Sequence, residues 1–181
     1  MRENPQLIER VIGEVQLALS DNLPWLSHVF GKAERLVKMQ NGRKYYTPNV
    51  YAGGNDYVAV IPDSHLGNFC FFRCDDPETI TWEIGARNDA EANVSVIVWC
   101  DLRTIEAAGS DRNAEAVKRE VLRVLNGGLR LQHGRFHVTK VYELAEHVFD
   151  CYTLDEVDNQ FLMHPYCGWR FAGTMWVQDY C

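Results

Sequence analysis

The residues whose types and spacing could do chemistry begin with two histidines, His133 and His137. On a helix, a spacing of four places two side chains on one face, where both imidazoles could bind one metal ion. Gly134 and the alternating pattern after it predict a turn and a strand instead, where the two side chains need not converge. The pair are therefore candidate metal ligands, with a solvated or core histidine as the favoured interpretation.

The thiols are a second source of chemistry. The six cysteines are Cys70, Cys74, Cys100, Cys151, Cys167 and Cys181. An even number could form three disulfides in a secreted protein, but the sequence opens without a secretory signal and is long enough to build a core, so free buried thiols are favoured. Cys70 and Cys74 flank a strand-like segment, which would hold them about 13 Å apart, too far to share a metal ion.

Other polar clusters and motifs predict no reaction. Asp63-Ser64-His65 contains the residue types of a catalytic triad, but sequence neighbours rarely reach the aligned geometry, and a turn is favoured. The acidic run Asp75-Asp76-Pro77-Glu78 could hold a hard cation, yet it lacks the ligand rhythm of a calcium loop. The sequence has no phosphate loop, dinucleotide fingerprint, His-Glu-x-x-His or Gly-x-Ser-x-Gly motif, so it predicts neither an enzyme class nor a cofactor.

The strongest structural signal is a strand followed by a helix. Val94 to Cys100 is rich in β-branched and aromatic residues on both alternating faces, which predicts a central strand covered on both sides. Ala114 to Leu125 gathers its apolar side chains on one helical face, with Ser110, Asp111 and Asn113 as candidate caps. This unit predicts the core of the fold.

The remaining elements are predicted around that unit. Asn4-Pro5 starts an amphipathic helix that ends near Asn22, and Asn41-Gly42 predicts a hairpin turn. Two short strands, Tyr57 to Ile61 and Asn68 to Arg73, are expected to be neighbours, and Arg87 to Asn93 to be an exposed connection. Further strands are expected over Arg135–Tyr142 and over Trp169–Gln178, the second with one wet face that carries Arg170, Thr174 and Gln178. Leu144–Phe149 is expected to form a short helical turn.

Length and composition predict one domain. A chain of 181 residues with 46% hydrophobic residues fits a single α+β domain over residues 1–181, with a mixed or mostly antiparallel sheet and two packed helices. The formal net charge of −7 and the lack of a basic run argue against nucleic-acid binding. No window approaches the roughly 20 apolar residues of a membrane span, so a cytoplasmic protein is expected.

The order of predicted elements resembles the small α+β proteins of the tail terminator, or minor tail protein U, family of tailed phages. The C-terminal His164-Pro165-Tyr166 and Trp169-Arg170-Phe171 are similar to the ends of phage and prophage tail-completion sequences. The resemblance implies a structural protein of the host cytoplasm and the virion, without a catalytic pocket. It would form a homo-oligomeric ring that stops tail-tube polymerisation and would bind other tail or head-connector proteins.

In that interpretation the protein acts through surface residues that contact other subunits or other tail proteins. Tyrosine is enriched at protein interfaces. The candidate interface residues are Tyr45, Tyr46, Tyr51, Tyr57 and Arg170. Packing of the tyrosines on the sheet is the alternative for these side chains.

Two other functions remain open. The first is a small-ligand-binding domain with an apolar cavity lined by Trp82, Trp99 and Trp169. The second is a metal-dependent hydrolase that uses His133, His137 and an acidic partner.

Overall fold

The computed structural model describes residues 6–54, 56–63, 65–75, 77–82, 88–127, 129–154 and 160–179. The α-helices in these ranges are α1 (Ile8–Asn22), α2 (Ala114–Asn126) and α3 (Ala145–Val148). The strands are β1 (His28–Gln40), β2 (Arg43–Gly53), β3 (Asp56–Ala59), β4 (Phe69–Cys74), β5 (Thr79–Trp82), β6 (Asn88–Asp101), β7 (Gly134–Tyr142) and β8 (Tyr166–Asp179). No helix within the described ranges is both long and apolar enough to cross a membrane.

All eight strands join one mixed sheet. Its order is β3-β2-β1-β4-β6-β8-β7, and β5 pairs with the N-terminal part of β6. The β1–β4 pair is parallel, whereas the other pairs are antiparallel. With α1 packed on the sheet, this architecture confirms the predicted α+β fold.

Strand β6 lies at the centre, as its composition predicts. It pairs with β4 on one side and with β8 along its whole length on the other. Val94, Val96 and Val98 face one layer of core, while Ile97 and Trp99 face another. The predicted exposed connection over Arg87–Asn93 is wrong from Asn88 onward, because β8 pairs with that segment and the small side chains of Ala90 and Ala92 are buried.

Helices α1 and α2 cover the first face of the sheet. The buried side chains of the two helices are Ile8, Val11, Ile12, Val15 and Leu19 from α1 and Val117, Val121 and Leu125 from α2. Asn113 caps α2, because its Oδ1 accepts hydrogen bonds from the backbone N–H groups of Glu115 and Ala116. The predicted apolar faces are confirmed in α2 and, from Ile8 onward, in α1. The predicted start at Asn4-Pro5 lies outside the described residues, but the helix begins only at Ile8 and Leu7 is exposed.

The second face is covered over half its length. Helix α3, the expected short helical turn, and the segments after it pack Phe149, Tyr152 and Phe161 over Phe71 and Trp99. The expectation of one wet face along the final strand is therefore wrong for its first half, where Arg170 is only 7% exposed. The side chains of β8 alternate as the sequence predicts, but the polar side of the first half of β8 is covered by a second layer.

The β1–β2 hairpin lies between β3 and β4 in the sheet. Asn41 and Gly42 both have positive φ, as a tight two-residue hairpin turn requires, and Gln40 pairs with Arg43. The predicted hairpin is confirmed. The expected pairing of the two short strands is wrong, since β1 and β2 lie between β3 and β4.

Candidate functional site

Two buried arginines and two more exposed aspartates form an ion cluster on the second face of the sheet. Arg73 is in β4 and Arg170 in β8, and the two are 8% and 7% exposed. Asp75 follows β4, and Asp150 lies just after α3. Charged side chains are rarely so buried unless they are paired. The pairing of these four residues therefore decides what the cluster can do.

Each carboxylate is shared between the arginines. Arg73 donates from Nε to Asp75 Oδ1 at 2.5 Å and from Nη1 to Asp150 Oδ1. Arg170 Nη1 lies 2.9 Å from Asp150 Oδ2 and 3.9 Å from Asp75 Oδ1. Ser95 Oγ also donates to Asp75 Oδ2 at 2.5 Å. The cluster thus joins β4, β6 and β8 to the segment after α3.

The guanidinium group of Arg170 has a second partner. It lies over the ring of Tyr142 on β7, with Cζ 4.2 Å from the ring centroid. This is the distance at which a cation is attracted by the face of an aromatic ring. Within the described part of the chain, Arg170 Nε has no hydrogen-bond acceptor. Arg170 therefore depends on Asp150, Asp75 and Tyr142 to offset its burial.

A thiol and a phenol adjoin the cluster. Cys151 Sγ accepts a hydrogen bond from Arg73 Nη1 at 3.0 Å, and the side chains of Cys151 and Tyr152 are hydrogen-bonded to each other. Burial, with a smaller contribution from the charge of Cys151, raises the pKa of Tyr152. A cleft of about 580 Å³ between β1 and this segment exposes part of the group.

The cluster is balanced in charge. Two guanidinium groups face two carboxylates, and both carboxylates already accept hydrogen bonds from the arginines. No unpaired cation is left in it to attract an anionic substrate. Its geometry fits a clamp that fastens the cover of the second face to three strands, rather than a catalytic centre.

Replacing Tyr152 with phenylalanine is expected to make stability less sensitive to alkaline pH. The unfolded chain ionises this phenol above about pH 10, whereas the raised pKa keeps it protonated in the folded state, so folding stability falls as pH rises. Tyr152→Phe removes up to about 1.4 kcal/mol per pH unit from that decline. Urea unfolding at intervals from pH 8 to 11 measures the slopes. Equal slopes of unfolding free energy against pH in the wild type and the variant would contradict the inference that burial keeps the Tyr152 phenol protonated in the folded state.

The two candidate histidines do not converge. His133 Nδ1 pairs with the carboxylate of Glu14 on α1, and Glu14 Oε2 also accepts the backbone N–H of Gln132 at 2.7 Å. His137 lies in β7 opposite Thr174 and is exposed. Because Phe136 and Val138 on either side of it are buried on the first face, His137 points to the second. Nowhere in the described ranges do three His, Cys, Asp or Glu side chains form a group that could hold a metal ion.

The predicted tryptophan-lined cavity is wrong. Trp99 belongs to the apolar cluster on the second face, and Trp169 belongs to the cluster on the first. The sheet itself separates the two rings. Trp99 is packed between Phe69 and Tyr166, with ring centroids 5.6 Å away in both cases. The side chain of Trp82 lies outside the described residues.

The candidate interface tyrosines fall into two groups. Tyr51 and Tyr57 stand opposite each other on β2 and β3, 37% and 46% exposed, with ring centroids 5.5 Å apart. Tyr45 and Tyr46 are half-buried, and the backbone of Tyr46 bonds to Thr153. The structure places Arg170 in the ion cluster rather than on the surface.

An exposed arm extends beyond the sheet. We define the arm as residues 35–44, the end of the β1–β2 hairpin past the last β1–β4 pair at Lys32, and every residue in it is exposed. It carries four basic residues and no acidic residue. Its apolar side chains Leu36, Val37 and Met39 are also exposed. Arg35 and Lys38 lie on β1 and Arg43 and Lys44 lie on β2, and the hairpin brings the two pairs together.

No protein-family model matches the chain, and no curated protein matches it significantly. The ion cluster and the exposed arm are therefore the features from which function is inferred.

Proposed function

We propose that this is a structural virion protein of a phage or prophage that acts in tail completion. It self-associates as a ring at the end of the tail tube and binds other tail or head-connector proteins, after synthesis in the cytoplasm of the bacterial host. The observation that carries the proposal is the exposed apolar arm. The element order and the C-terminal strand resemble the tail terminator family, and this resemblance supports a ring at the end of the tail tube as the assembly that the arm forms.

The arm has the character of a surface that assembly covers. Leu36, Val37 and Met39 are 37%, 54% and 65% exposed, and they occupy both sides of a two-stranded ribbon. A two-stranded hairpin is at best marginally stable by itself in water. Exposed apolar strands are also ready templates for pairing with another chain. Burial of the arm against a neighbouring subunit would stabilise the hairpin and cover its exposed apolar strands.

Charge favours contact between the arm and a different surface of the next copy. The arm holds four basic residues, while the rest of the chain holds 14 basic and 25 acidic residues. Two arms paired with each other would bring like charges together, which is destabilising. An arm against the acidic body of another copy brings opposite charges together. Such a head-to-tail contact closes into a ring when the rotation between subunits allows it.

The outer end of the sheet offers a second contact. Tyr51 and Tyr57 form an exposed aromatic pair on β2 and β3, and β3 is the terminal strand of the order. Tyrosine supplies a large apolar area together with a polar hydroxyl, which suits a protein interface. We assign this pair to docking on another subunit or tail protein.

Replacing Val37 and Met39 together with aspartate is expected to abolish self-association. The change places two charges in the apolar part of the proposed contact and reduces the positive charge of the arm. Native mass spectrometry of the untagged wild-type protein over a range of concentrations should show a metal-free ring-forming oligomer. The fraction of the protein in this oligomer should rise with concentration. The double variant should remain monomeric at every concentration.

The control for that variant is Leu17→Asp. Leu17 is an equally exposed apolar residue, at 54%, but it lies on α1 away from the arm. This variant should assemble as the wild type does.

A wild-type monomer that also fails to bind purified tail tubes would overturn the proposed function. A stoichiometric metal ion on that monomer would favour the metal-dependent hydrolase. Duplex DNA binding lost in Arg43→Glu would instead assign the arm to nucleic acid.

The small-ligand alternative rests on the cleft beside the ion cluster. Its volume of about 580 Å³ is large enough for a small molecule, and Arg73, Asp75 and Tyr152 contribute to its walls. A thermal-shift screen of small molecules tests it, since a ligand that binds only the folded state raises the melting temperature. A hit abolished by substitutions in the cleft would favour this alternative.

A further inference from the structure

Two thiols meet inside the central strand pair. The five described cysteines are free. Cys70 and Cys100 are buried, as the sequence predicts, whereas Cys74, Cys151 and Cys167 are half-buried. Cys100 of β6 and Cys167 of β8 are directly opposite each other, and their Sγ atoms are 3.2 Å apart. Among the described cysteines, this is the pair whose sulfur atoms are in hydrogen-bonding contact.

The positions of the two residues suit a covalent bond. Residues directly opposite in antiparallel strands have Cα atoms about 4.5–5.5 Å apart. Disulfides join residues whose Cα atoms are about 4.4–6.8 Å apart, so no backbone movement is needed for this pair. By contrast, Cys70 and Cys74 lie four residues apart in one strand, about 13 Å along it. Cys151 is engaged with Arg73 in the ion cluster.

We propose that Cys100 and Cys167 are a redox-active pair that forms an intramolecular disulfide with a two-electron oxidant such as hydrogen peroxide. Peroxide first oxidises one thiol to a sulfenic acid and leaves as water. The second sulfur then attacks the sulfenic acid, and the S–O bond breaks as the S–S bond forms, releasing a second water. Two electrons and two protons pass from the thiols to one peroxide, and a small thiol reductant reverses the change.

The surroundings indicate which sulfur reacts first. Cys167 is half-buried, whereas Cys100 is completely buried. The contact with Cys167 and burial together raise the pKa of Cys100, which disfavours its thiolate. Cys167 therefore meets the oxidant, and Cys100 resolves the sulfenic acid.

The new bond would change more than the two residues. It closes the chain between β6 and β8, which contains α2, β7 and α3. Closing so long a loop restricts the unfolded chain, and in a protein of this size we expect a rise in melting temperature of about 10 °C. Oxidation thus stabilises the folded subunit without adding a contact at its surface.

The experiment treats the purified full-length protein with hydrogen peroxide and then blocks the remaining thiols with an alkylating agent. We expect the loss of two hydrogens by intact mass, and a Cys100–Cys167 cross-linked peptide in the digest. Dithiothreitol should remove the cross-link and reverse the rise in melting temperature. A different cross-link, or sulfinic acid at Cys167 without any cross-link, would overturn the proposal.

Variants separate the pair from the other cysteines. Cys167→Ser should abolish the cross-link and the thermal shift, whereas Cys74→Ser, a half-buried thiol in β4, should keep both. Should Cys167→Ser fail to fold, the wild-type peptide map still decides the outcome. These results do not depend on self-association, so they test the pair separately from the proposed function.

Discussion

Replacing Arg170 with alanine is expected to lower the free energy of unfolding by about 3–5 kcal/mol. The change removes the 2.9 Å contact with Asp150 and the contact with the ring of Tyr142. Asp75 and Asp150 then share the single guanidinium group of Arg73, and a carboxylate that is partly removed from water loses its partner. Urea unfolding followed by circular dichroism measures the loss.

Arg103→Ala is the matched control. Arg103 also pairs with an aspartate, Asp101, and also lies over a tyrosine ring, that of Tyr166 at 5.0 Å. Its side chain is 46% exposed, and pairs of this kind typically contribute less than about 1 kcal/mol. Equal losses in the two variants would show that burial does not set the strength of the Arg170 cluster.

Trp99→Ala is expected to destabilise the protein by about 3–5 kcal/mol. Trp99 is 1% exposed, its ring is packed against Phe69 and Tyr166, and its Nε1 donates to the carbonyl of Phe161 at 2.5 Å. Alanine leaves a cavity and an unpaired carbonyl between the sheet and its cover. Thermal and urea unfolding should both report the loss.

Trp176→Ala provides the comparison for that loss. Trp176 is on β8, 38% exposed, and its Nε1 donates to Glu91 at 3.1 Å near the surface. Its removal should cost clearly less than that of Trp99, because the ring lies at the surface and its loss opens no enclosed cavity. If Trp99→Ala cost no more than this, the second face would not be a packed core.

The local elements could be predicted because their patterns are local. The apolar face of α1, the composition of β6 and the cap of α2 at Asn113 all lie within single segments. The hairpin turn at Asn41-Gly42 is also a short-range signal, and the structure confirms it. Patterns of this kind depend on helix and strand geometry, which a few neighbouring residues determine.

The partners of the strands could not be predicted in the same way. Strands β3 and β4 follow each other along the chain, but two other strands separate them in the sheet. The burial of Arg170 is equally non-local, because its partners Asp150 and Tyr142 lie in other segments of the chain. Alternation placed Arg170 on the correct side of β8 but carried no information about what covers that side.

The candidate sites show the same limit. Arg73 reaches Asp150 across 77 residues, so no sequence motif could contain the ion cluster. The arm, by contrast, could have been found from the hairpin. Folding the strands about Asn41-Gly42 pairs Lys38 with Tyr45 and Met39 with Lys44, which brings separated basic residues onto one ribbon. The absence of a basic run along the sequence therefore did not exclude a basic surface.

The pairing of β6 with β8 also determines when the fold can close. Asp101 pairs with Tyr166 and Asn88 with Asp179, so the partner of each β6 residue is made 65 to 91 residues later. Contacts between such distant segments fold slowly, because a long loop must be ordered first. On the ribosome, β6 therefore waits with an unpaired apolar edge while α2 and β7 are synthesised. An unpaired apolar strand edge can pair with another chain, so this interval carries a risk of aggregation.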